Sequence, residues 1–321
     1  MQNKGNYWKS QSRYRLLPAI LALGIAFGVN VWTPNVQGVY TVPYQIFLIG
    51  FAAVLVILWV VSLFVSTFGL KLYHQAQFIT AVGLVLALWD LLTTKSAIIP
   101  LPFFPGPAQI VGVMFRERAM LLLSTAYSMR LFFAGLITGT LLGLVTGILI
   151  GWYREWNYWL FPLIKITGVI PAIAWMPIAI VIFPNTFITG VFLIAIASWF
   201  SVAFMVSTGI SSTSKAYYEV ARTLGANEAY LLFRIAIPNA VPSIFTGIST
   251  ATGLSFVTLV VSEMIGAKAG LGWYINWAKG WSAYDKVYAC IIIMGVSFSI
   301  FLTIITLCRN YFLRWQKGVV L

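Results

Sequence analysis

The sequence has few charged residues. Lysine, arginine, aspartate and glutamate make up 8% of its 321 residues, whereas hydrophobic residues make up 60%. About a quarter of the residues in a soluble domain are charged, so this composition excludes an ordinary soluble protein. The formal net charge of +13 would point to nucleic acid in a soluble protein, but no soluble basic domain is present to bind it. The sequence therefore predicts an integral membrane protein that contacts lipid and binds no nucleic acid.

Residues for catalysis and metal binding are also scarce. His74 is the only histidine, and the two cysteines, Cys290 and Cys308, both lie in the last apolar run. They provide neither a disulfide framework nor a metal-binding set. No G-x-x-x-x-G-K-[ST] phosphate loop occurs in the sequence, so the chain cannot hydrolyse ATP alone. We therefore expect a protein that is not an enzyme and binds no cofactor or metal.

Long apolar runs dominate the chain. A helix needs about 20 mostly apolar residues to cross the hydrocarbon core of a bilayer. No small-residue cleavage site follows Phe27, so we expect the first run to stay in the protein as a span rather than act as a signal peptide. The fold class predicted is an all-α, polytopic membrane helix bundle with about eight transmembrane helices. The runs lie near 16–33, 43–69, 76–94, 127–151, 160–183, 186–210, 240–263 and 287–311.

The distribution of basic residues predicts the orientation. An even number of spans leaves both termini on one side, together with the polar loop at 211–239. That side carries thirteen of the 20 lysines and arginines, including Lys4, Lys9, Arg13, Arg15 and Lys317, and the other side carries seven. Because lysine and arginine accumulate in cytoplasmic loops, we expect both termini and this loop in the cytoplasm of a bacterium, with the chain in its inner membrane.

The polar loop has the local signals of two short helices joined by a turn. Residues 215–224 are good helix formers, and Glu219 and Arg222 are spaced to pair on one helix face. Gly225 suits the left-handed position that ends a helix, and Asn227 is a good N-cap for a second helix. Such a compact knob could dock in a groove on a partner. The alternative is an ordinary polar loop with incidental helical residues.

The same loop carries a recognisable motif. Glu219-Val220-Ala221-x3-Gly225-x9-Ile235-x-Ile237-Pro238 resembles the coupling loop of permease subunits in binding-protein-dependent ABC importers, whose pattern is E-A-A-x3-G-x9-I-x-L-P. It departs from that pattern only in the middle alanine and in the leucine. The resemblance implies a type I importer permease in which the following residues couple to an ATPase: Tyr218, Glu219, Ala221, Arg222, Leu224, Gly225, Ala226 and Asn227.

The family resemblance also implies partners. They are two ATPase subunits, which would bind ATP and Mg²⁺, an extracytoplasmic substrate-binding protein, and a second permease copy that is identical or similar. From about residue 99 to 317 the chain is similar to permeases for nitrate, sulfonates such as taurine, and bicarbonate. The matching residues include Ser128-Met129-Arg130, Ser262-Glu263-Met264 and Gly270-Leu271-Gly272. The usual histidine before Ser-x-Arg is missing, with Ser124-Thr125 in that region.

The resemblance predicts a domain organisation and a cargo. Six spans are typical of that group, so residues 76–321 would form the six-helix permease core and residues 1–75 an additional N-terminal pair of helices. A small anion such as nitrate, bicarbonate or a sulfonate is the expected substrate. A vitamin precursor or another small organic solute is the alternative within the fold. A self-powered carrier or channel, or a structural scaffold, is the alternative from another class.

Two features of the apolar runs bear on a translocation path. Glycines recur every four residues along the fourth run, which makes a bare stripe for close helix packing or for sliding during alternating access. Prolines break the fifth run, and we expect residues 168–177 to face the path rather than form simple packing kinks. The stripe comprises Gly135, Gly139, Gly143, Gly147 and Gly151, and the path residues predicted are Pro171, Trp175, Pro177, Glu263 and Arg130.

The ionisable residues of the spans lie at span ends. Asp90, Arg130 and Glu263 are predicted there, where a side chain can reach the membrane interface. A proton- or sodium-driven carrier would bury carboxylates or ion sites at broken helices. The scarcity of such groups argues against a chain that powers transport by itself.

Overall fold

The structure is a computed structural model that describes residues 16–64, 66–99 and 101–314. The basic residues counted at Lys4, Lys9, Arg13, Arg15 and Lys317 lie outside these ranges. We number the helices α1 Leu17–Trp32, α2 Val42–Phe64, α3 Ser66–Asp90, α4 Pro107–Arg116, α5 Arg118–Trp152, α6 Arg154–Val169, α7 Met176–Ile182, α8 Thr186–Ser211, α9 Lys215–Thr223, α10 Glu228–Gly266, α11 Leu271–Gly280 and α12 Tyr284–Phe312.

All eight predicted apolar runs form helices, but they are not equally able to span a membrane. Among the described residues, six helices are long and apolar enough, and a seventh span results if α6 and α7 count as one. The α1 helix has 16 residues, fewer than the about 20 that a perpendicular span needs. Length and composition therefore support six or seven spans among the described residues, where about eight were expected, and α1 is an additional short apolar helix.

The chain divides into two compact units. Among the described residues, the first comprises those up to residue 120 with 278–289, and the second comprises residues 121–277 with 290–314. In the first unit, α1, α2, α3 and α4 enclose an apolar cluster that includes Leu23, Tyr44, Leu48, Leu55 and Ala87. The domain boundary expected at residue 75 remains a prediction.

The first unit also buries charged and polar groups. Asp90 is fully buried and Lys95 is 6% exposed. Asn30 connects them: its Nδ2 donates to Asp90 Oδ2 at 2.9 Å, and its backbone oxygen accepts from Lys95 Nζ at 2.6 Å. Lys95 also donates to the carbonyl of Thr33. Asp90 is the last residue of α3, the span end where it was expected, but its carboxylate is buried in the unit, where Asn30 donates to Oδ2 and Oδ1 has no partner among the described residues.

In the second unit, α8 and α10 pack along one another. Val202 and Val206 of α8 and Ala240 and Ala251 of α10 are all buried in one core cluster, which also includes Phe132 of α5. Small residues on α10 allow close approach. A Cβ at Gly247 would lie 2.9 Å from the Cβ of Met205. These two long helices form the centre of the unit, and α5 packs against them.

The glycine stripe of α5 lies against α8. A Cβ at Gly139 would come within 1.9 Å of Ser198 Oγ and 2.3 Å of the Ala195 carbonyl oxygen. At the other four stripe glycines the nearest atoms of α8 would lie 2.5–2.9 Å away. Only a residue without a side chain fits at these distances. The stripe is thus the surface over which the backbones of α5 and α8 approach each other.

The fifth apolar run is broken in the structure. The helix α6 ends at Val169, a 3-10 turn follows at Ala172–Trp175, and α7 leaves at 99° to α6. Pro171 starts this turn in an extended conformation, which is typical of proline after a helix. The short α7 is fixed to α8, because its Met176 and Ala179 are buried against Leu193.

Candidate functional site

The polar loop between α8 and α10 folds as a compact knob, which we define as residues 215–229. Its first helix, α9, ends at Thr223, and Gly225 follows it with a φ of +85°, in the left-handed region. Gly225 N donates to the Arg222 carbonyl and Ala226 N donates to the Ala221 carbonyl, both at 3.0 Å. This pair of bonds is a Schellman motif, which satisfies the last carbonyls of α9. A glycine is needed here because other residues adopt this φ only with strain.

The second arm of the knob starts immediately after the turn. Asn227 caps α10, since its side-chain oxygen accepts from Tyr230 N at 2.8 Å. Arg222 pairs with Glu228 at 2.8 Å, so the expected pair between Glu219 and Arg222 is not formed. The reason is the turn, which brings the start of α10 back beside the end of α9. The predicted helix–turn–helix shape is confirmed.

The knob is attached to the unit at its base. Asn239 Nδ2 donates to Thr213 Oγ1 at 3.0 Å, which ties the chain where it leaves α8 to the first turns of α10. Tyr218 is half-buried and makes an edge-to-face contact with Trp152 at the end of α5, with ring centroids 5.7 Å apart. Of the predicted coupling residues, Tyr218 therefore points inward and anchors the knob.

The opposite face of the knob is apolar and exposed. Leu224 is 83% exposed, and Tyr217 and Val220 are each 61% exposed. Beside them runs a groove of about 970 Å³, lined by Ala221, Leu224, Gly225 and Ala226 together with residues of α10. The remaining predicted coupling residues, Glu219, Arg222 and Asn227, are exposed next to it. Large apolar side chains exposed together are typical of an interaction surface.

A buried polar cluster lies at the far ends of α8 and α10. Glu263 is 1% exposed, and its Oε2 accepts from Ser128 Oγ and from Gly272 N, each at 2.8 Å. Ser128 Oγ in turn accepts from Leu271 N at 2.8 Å. Glu263 lies near the end of α10, where it was expected, but its carboxylate is buried, because two donors, Ser128 Oγ of α5 and Gly272 N of α11, hold it inside the protein.

The loop after α10 is shaped around this carboxylate. Gly270 has a φ of +120°, and a Cβ there would lie 2.4 Å from Glu263 Oε1. A Cβ at Gly272 would lie 2.6 Å from the Val260 carbonyl oxygen. Both glycines of the Gly-Leu-Gly sequence are therefore needed for close approach. The carboxylate of Glu263 fixes the path of the loop that carries Lys268.

A cavity of about 340 Å³ adjoins the cluster. Its walls include Arg130 of α5, Asn185 to Phe187 at the start of α8, Glu263, and the loop with Lys268. The Arg130 guanidinium lies over the Phe187 ring, 4.9 Å from its centroid. The structure thus brings two of the predicted path residues, Arg130 and Glu263, to one cavity. Lys268 was missed, because a lysine in a loop has no sequence signal that separates it from other surface lysines.

The other three predicted path residues lie elsewhere in the second unit. Pro171 and Pro177 are exposed beside the break between α6 and α7. Trp175 is half-buried, and its indole nitrogen has no hydrogen-bond partner among the described residues. None of the three lines the Arg130 cavity. Their assignment to a translocation path remains a prediction.

Comparison with known proteins agrees with these features. Over 215 residues the chain is 29% identical to a probable ABC transporter permease protein of Brucella melitensis, covering 65% of this chain and 84% of that protein. It is 30% identical to the bicarbonate transport system permease protein CmpB of Synechococcus elongatus, covering 58% and 65% of the two chains. It is 27% identical to the putative aliphatic sulfonates transport permease protein SsuC of Bacillus subtilis, covering 78% and 91%.

A solved structure shares the fold. It is a chain of the MetNI methionine ABC transporter in an inward-facing conformation, and the TM-score between the two chains is 0.50. The two chains are 17% identical, and the match covers 62% of this chain and 97% of that one. Residues 119–317 match the family described as binding-protein-dependent transport system inner membrane component. This match begins close to the start of the second unit at residue 121 and covers more than half of the chain. The protein therefore belongs to this family, and it is a multi-pass inner-membrane permease of an ABC importer.

Proposed function

We propose that this permease carries a small anion into the cell and that the knob couples it to two ATPase subunits. The observation that carries the coupling role is the exposed apolar face of Tyr217, Val220 and Leu224 beside a groove of about 970 Å³. An exposed patch of this kind needs a partner. The knob has the size of a helix-in-groove ligand, which recognises its partner through one apolar face.

The positions of the knob and the Arg130 cavity support an inward direction of transport. The knob lies between the end of α8 and the start of α10, whereas the cavity lies at the start of α8 and the end of α10. A helix of 26 residues is about 39 Å long, enough to separate the two sides of a membrane. With the knob in the cytoplasm, as the charge distribution favours, both termini are cytoplasmic and the cavity faces the external binding protein.

In this scheme the permease works as a pair. A second copy, identical or similar, completes the translocation path, and each copy presents one knob to one ATPase subunit. ATP and Mg²⁺ bind to those subunits and not to this chain. Closure of the ATPases on ATP draws the two knobs together, and the second units turn with them to open outward. Glu219, Ala221 and Gly225 transmit this motion because they lie in or beside the docking face.

The substrate class rests on relatives and not on a bound ligand. Two of the relatives in sequence have a named cargo: one is a bicarbonate permease and the other a putative aliphatic sulfonate permease. Both cargoes are small oxyanions, and nitrate belongs to the same chemical class. We therefore assign a small oxyanion to this permease, delivered by an extracytoplasmic binding protein.

Charge reversal in the knob tests the proposal. Vesicles that contain all subunits should lose uptake in Glu219→Lys and Leu224→Asp while the ATPase subunits still hydrolyse ATP, because the docking face is disrupted and the active sites are not. Arg309→Glu also reverses a charge, at an exposed position of α12 that lines neither the groove nor the cavity between the knob and Trp152, and it should leave uptake intact. Uptake by this chain in vesicles without any ATPase would contradict the proposal.

A further inference from the structure

We infer that the Arg130 cavity is a binding position for a small oxyanion on the permease itself, with Arg130 and Lys268 as its charged ligands. The inference rests on the proposed function for the direction of delivery, but its chemistry comes from the cavity alone. Four properties support it: unpaired positive charge, a restrained guanidinium, the end of a long helix and a small volume.

The cavity has more positive than negative charge. Arg130 and Lys268 are both exposed, and neither lies within ion-pair distance of a carboxylate in the described part of the chain. Glu263 is the only acidic residue among the described residues of the lining. Its carboxylate is 1% exposed, and its Oε2 is occupied by Ser128 and Gly272. The two cations are therefore available to a ligand, whereas the carboxylate is turned into the protein.

The guanidinium of Arg130 is held at the wall of the cavity. Its Cζ lies 4.9 Å from the centroid of the Phe187 ring, a cation–π contact that restrains the position of the group. Arg130 forms no ion pair with an acidic residue in the described part of the chain. A planar fork of N–H donors binds two oxygens of a carboxylate-like or sulfonate-like group at once, which a point charge cannot do.

The start of α8 adds to the positive potential. Asn185, Thr186 and Phe187, the N-cap and first residues of this 26-residue helix, line the cavity. The N-terminus of a helix has a partial positive charge, which favours anions, although the N–H of Phe187 already donates to Asn185 Oδ1 at 2.8 Å. This contribution comes from the backbone, so it is independent of the two side chains.

The volume limits the ligand to a small one. Small-molecule sites usually have about 300–1,000 Å³, and this cavity has about 340 Å³. Nitrate, bicarbonate and short sulfonates fit the lower end of that range. The loop that carries Lys268 is held by Gly270 and by the bonds of Glu263, so the lysine is presented to the cavity by an ordered backbone.

Anion-dependent stabilisation of the full chain in lipid nanodiscs tests the inference, with no ATPase or binding protein present. A ligand that binds only the native state raises the unfolding midpoint with its concentration. We expect nitrate, bicarbonate or taurine to raise the midpoint relative to gluconate at equal ionic strength. Arg130→Gln and Lys268→Gln should each raise the anion concentration needed for a given shift of the midpoint by about tenfold or more, because each removes a charged hydrogen-bond donor.

Two further variants make the result specific. Lys279→Gln removes the same charge from an exposed lysine that does not line the cavity, and it should respond to anions as the unmodified protein does. This comparison also cancels general salt effects, which both proteins experience. Arg130→Lys retains the charge without the planar fork and should give an intermediate response. If Arg130→Gln is unstable in gluconate, Lys268→Gln provides the measurement, since that lysine is exposed on a loop.

Two outcomes would overturn the inference. One is an Arg130→Gln, Lys268→Gln double variant that responds to nitrate like the unmodified protein. The other is an unmodified protein that does not distinguish the small anions from gluconate. Because no ATPase is present, failure of the knob variants to uncouple uptake would leave this result unaffected. Conversely, if the knob variants uncouple uptake but no anion raises the unfolding midpoint, only the inference about the Arg130 cavity is contradicted.

Discussion

Ser128 on α5 donates a 2.8 Å hydrogen bond to the buried carboxylate of Glu263 on α10, across 135 residues of sequence. The same serine oxygen accepts from Leu271 N, so one hydroxyl serves both α10 and the start of α11. A buried carboxylate without such donors would be costly. This relationship fixes three segments of the second unit to one another beside the Arg130 cavity.

Replacing Ser128 should loosen this junction. Ser128→Ala leaves Leu271 N without its acceptor and removes one donor to Glu263, and an unsatisfied buried polar group costs about 1–3 kcal/mol. We expect the thermal unfolding midpoint in nanodiscs to fall. Ser299→Ala is the matched control, because that hydroxyl bonds only to the Gly295 carbonyl within α12 and is exposed. An equal effect of the two substitutions would contradict the role given to Ser128.

The glycine stripe should not tolerate a single methyl group. In Gly139→Ala the new Cβ would lie 2.3 Å from a backbone oxygen of α8, which cannot move away as a side chain can. We expect destabilisation by about 1–3 kcal/mol, the usual cost of overpacking. Gly295→Ala in α12 has no neighbouring atom within 4 Å and should be neutral or stabilising, because alanine favours helix by about 1 kcal/mol. Unfolding in mixed detergent measures both.

The backbone conformation at residue 225 should determine whether the knob can couple ATP hydrolysis to uptake. Gly225→Val places a β-branched residue at a φ of +85°, where such residues are strained. The Schellman turn should then open, and ATP hydrolysis should become uncoupled from uptake. Gly225→Asn is the control with added side-chain volume, since asparagine tolerates the left-handed region. No atom lies within 4 Å of a Cβ at this position, so the added side chain meets no neighbour in either variant. A loss of uptake in Gly225→Val alone would therefore be due to the backbone conformation and not to a clash.

Asp90 and Lys95 should depend on each other. Both charged groups are buried and both bond to Asn30, and a buried charge that loses its compensation is costly. Asp90→Asn and Lys95→Met should each lower the stability of the chain, and the double variant should lose less stability than the sum of the two single losses. A double-mutant cycle on unfolding midpoints measures this coupling. Strict additivity would show that Asn30, which bonds to both residues, already isolates the two charges.

The features predicted correctly from the sequence have local causes. The apolar runs form helices because length and composition decide this, and the knob has its predicted shape because Gly225 and Asn227 act within their own turn. The bonds of Ser128 to Glu263 and of Asn30 to Asp90 join residues 135 and 60 positions apart. No local pattern indicates such partners, so a carboxylate at a span end suggested the interface when it was in fact buried. Likewise, Pro171 predicted a break but not its 99° bend.

The hydrogen bond between Asn239 and Thr213 has a mechanical consequence. This bond joins Thr213, just after the end of α8, to α10, so the two ends of the knob are held together at its base. A force on the knob therefore acts on both long helices at once instead of stretching a loop. The other ends of these same helices line the Arg130 cavity. If the knob docks on an ATPase as proposed, a tilt of a few degrees there would move the walls of the Arg130 cavity through the two long helices rather than through a series of side-chain contacts.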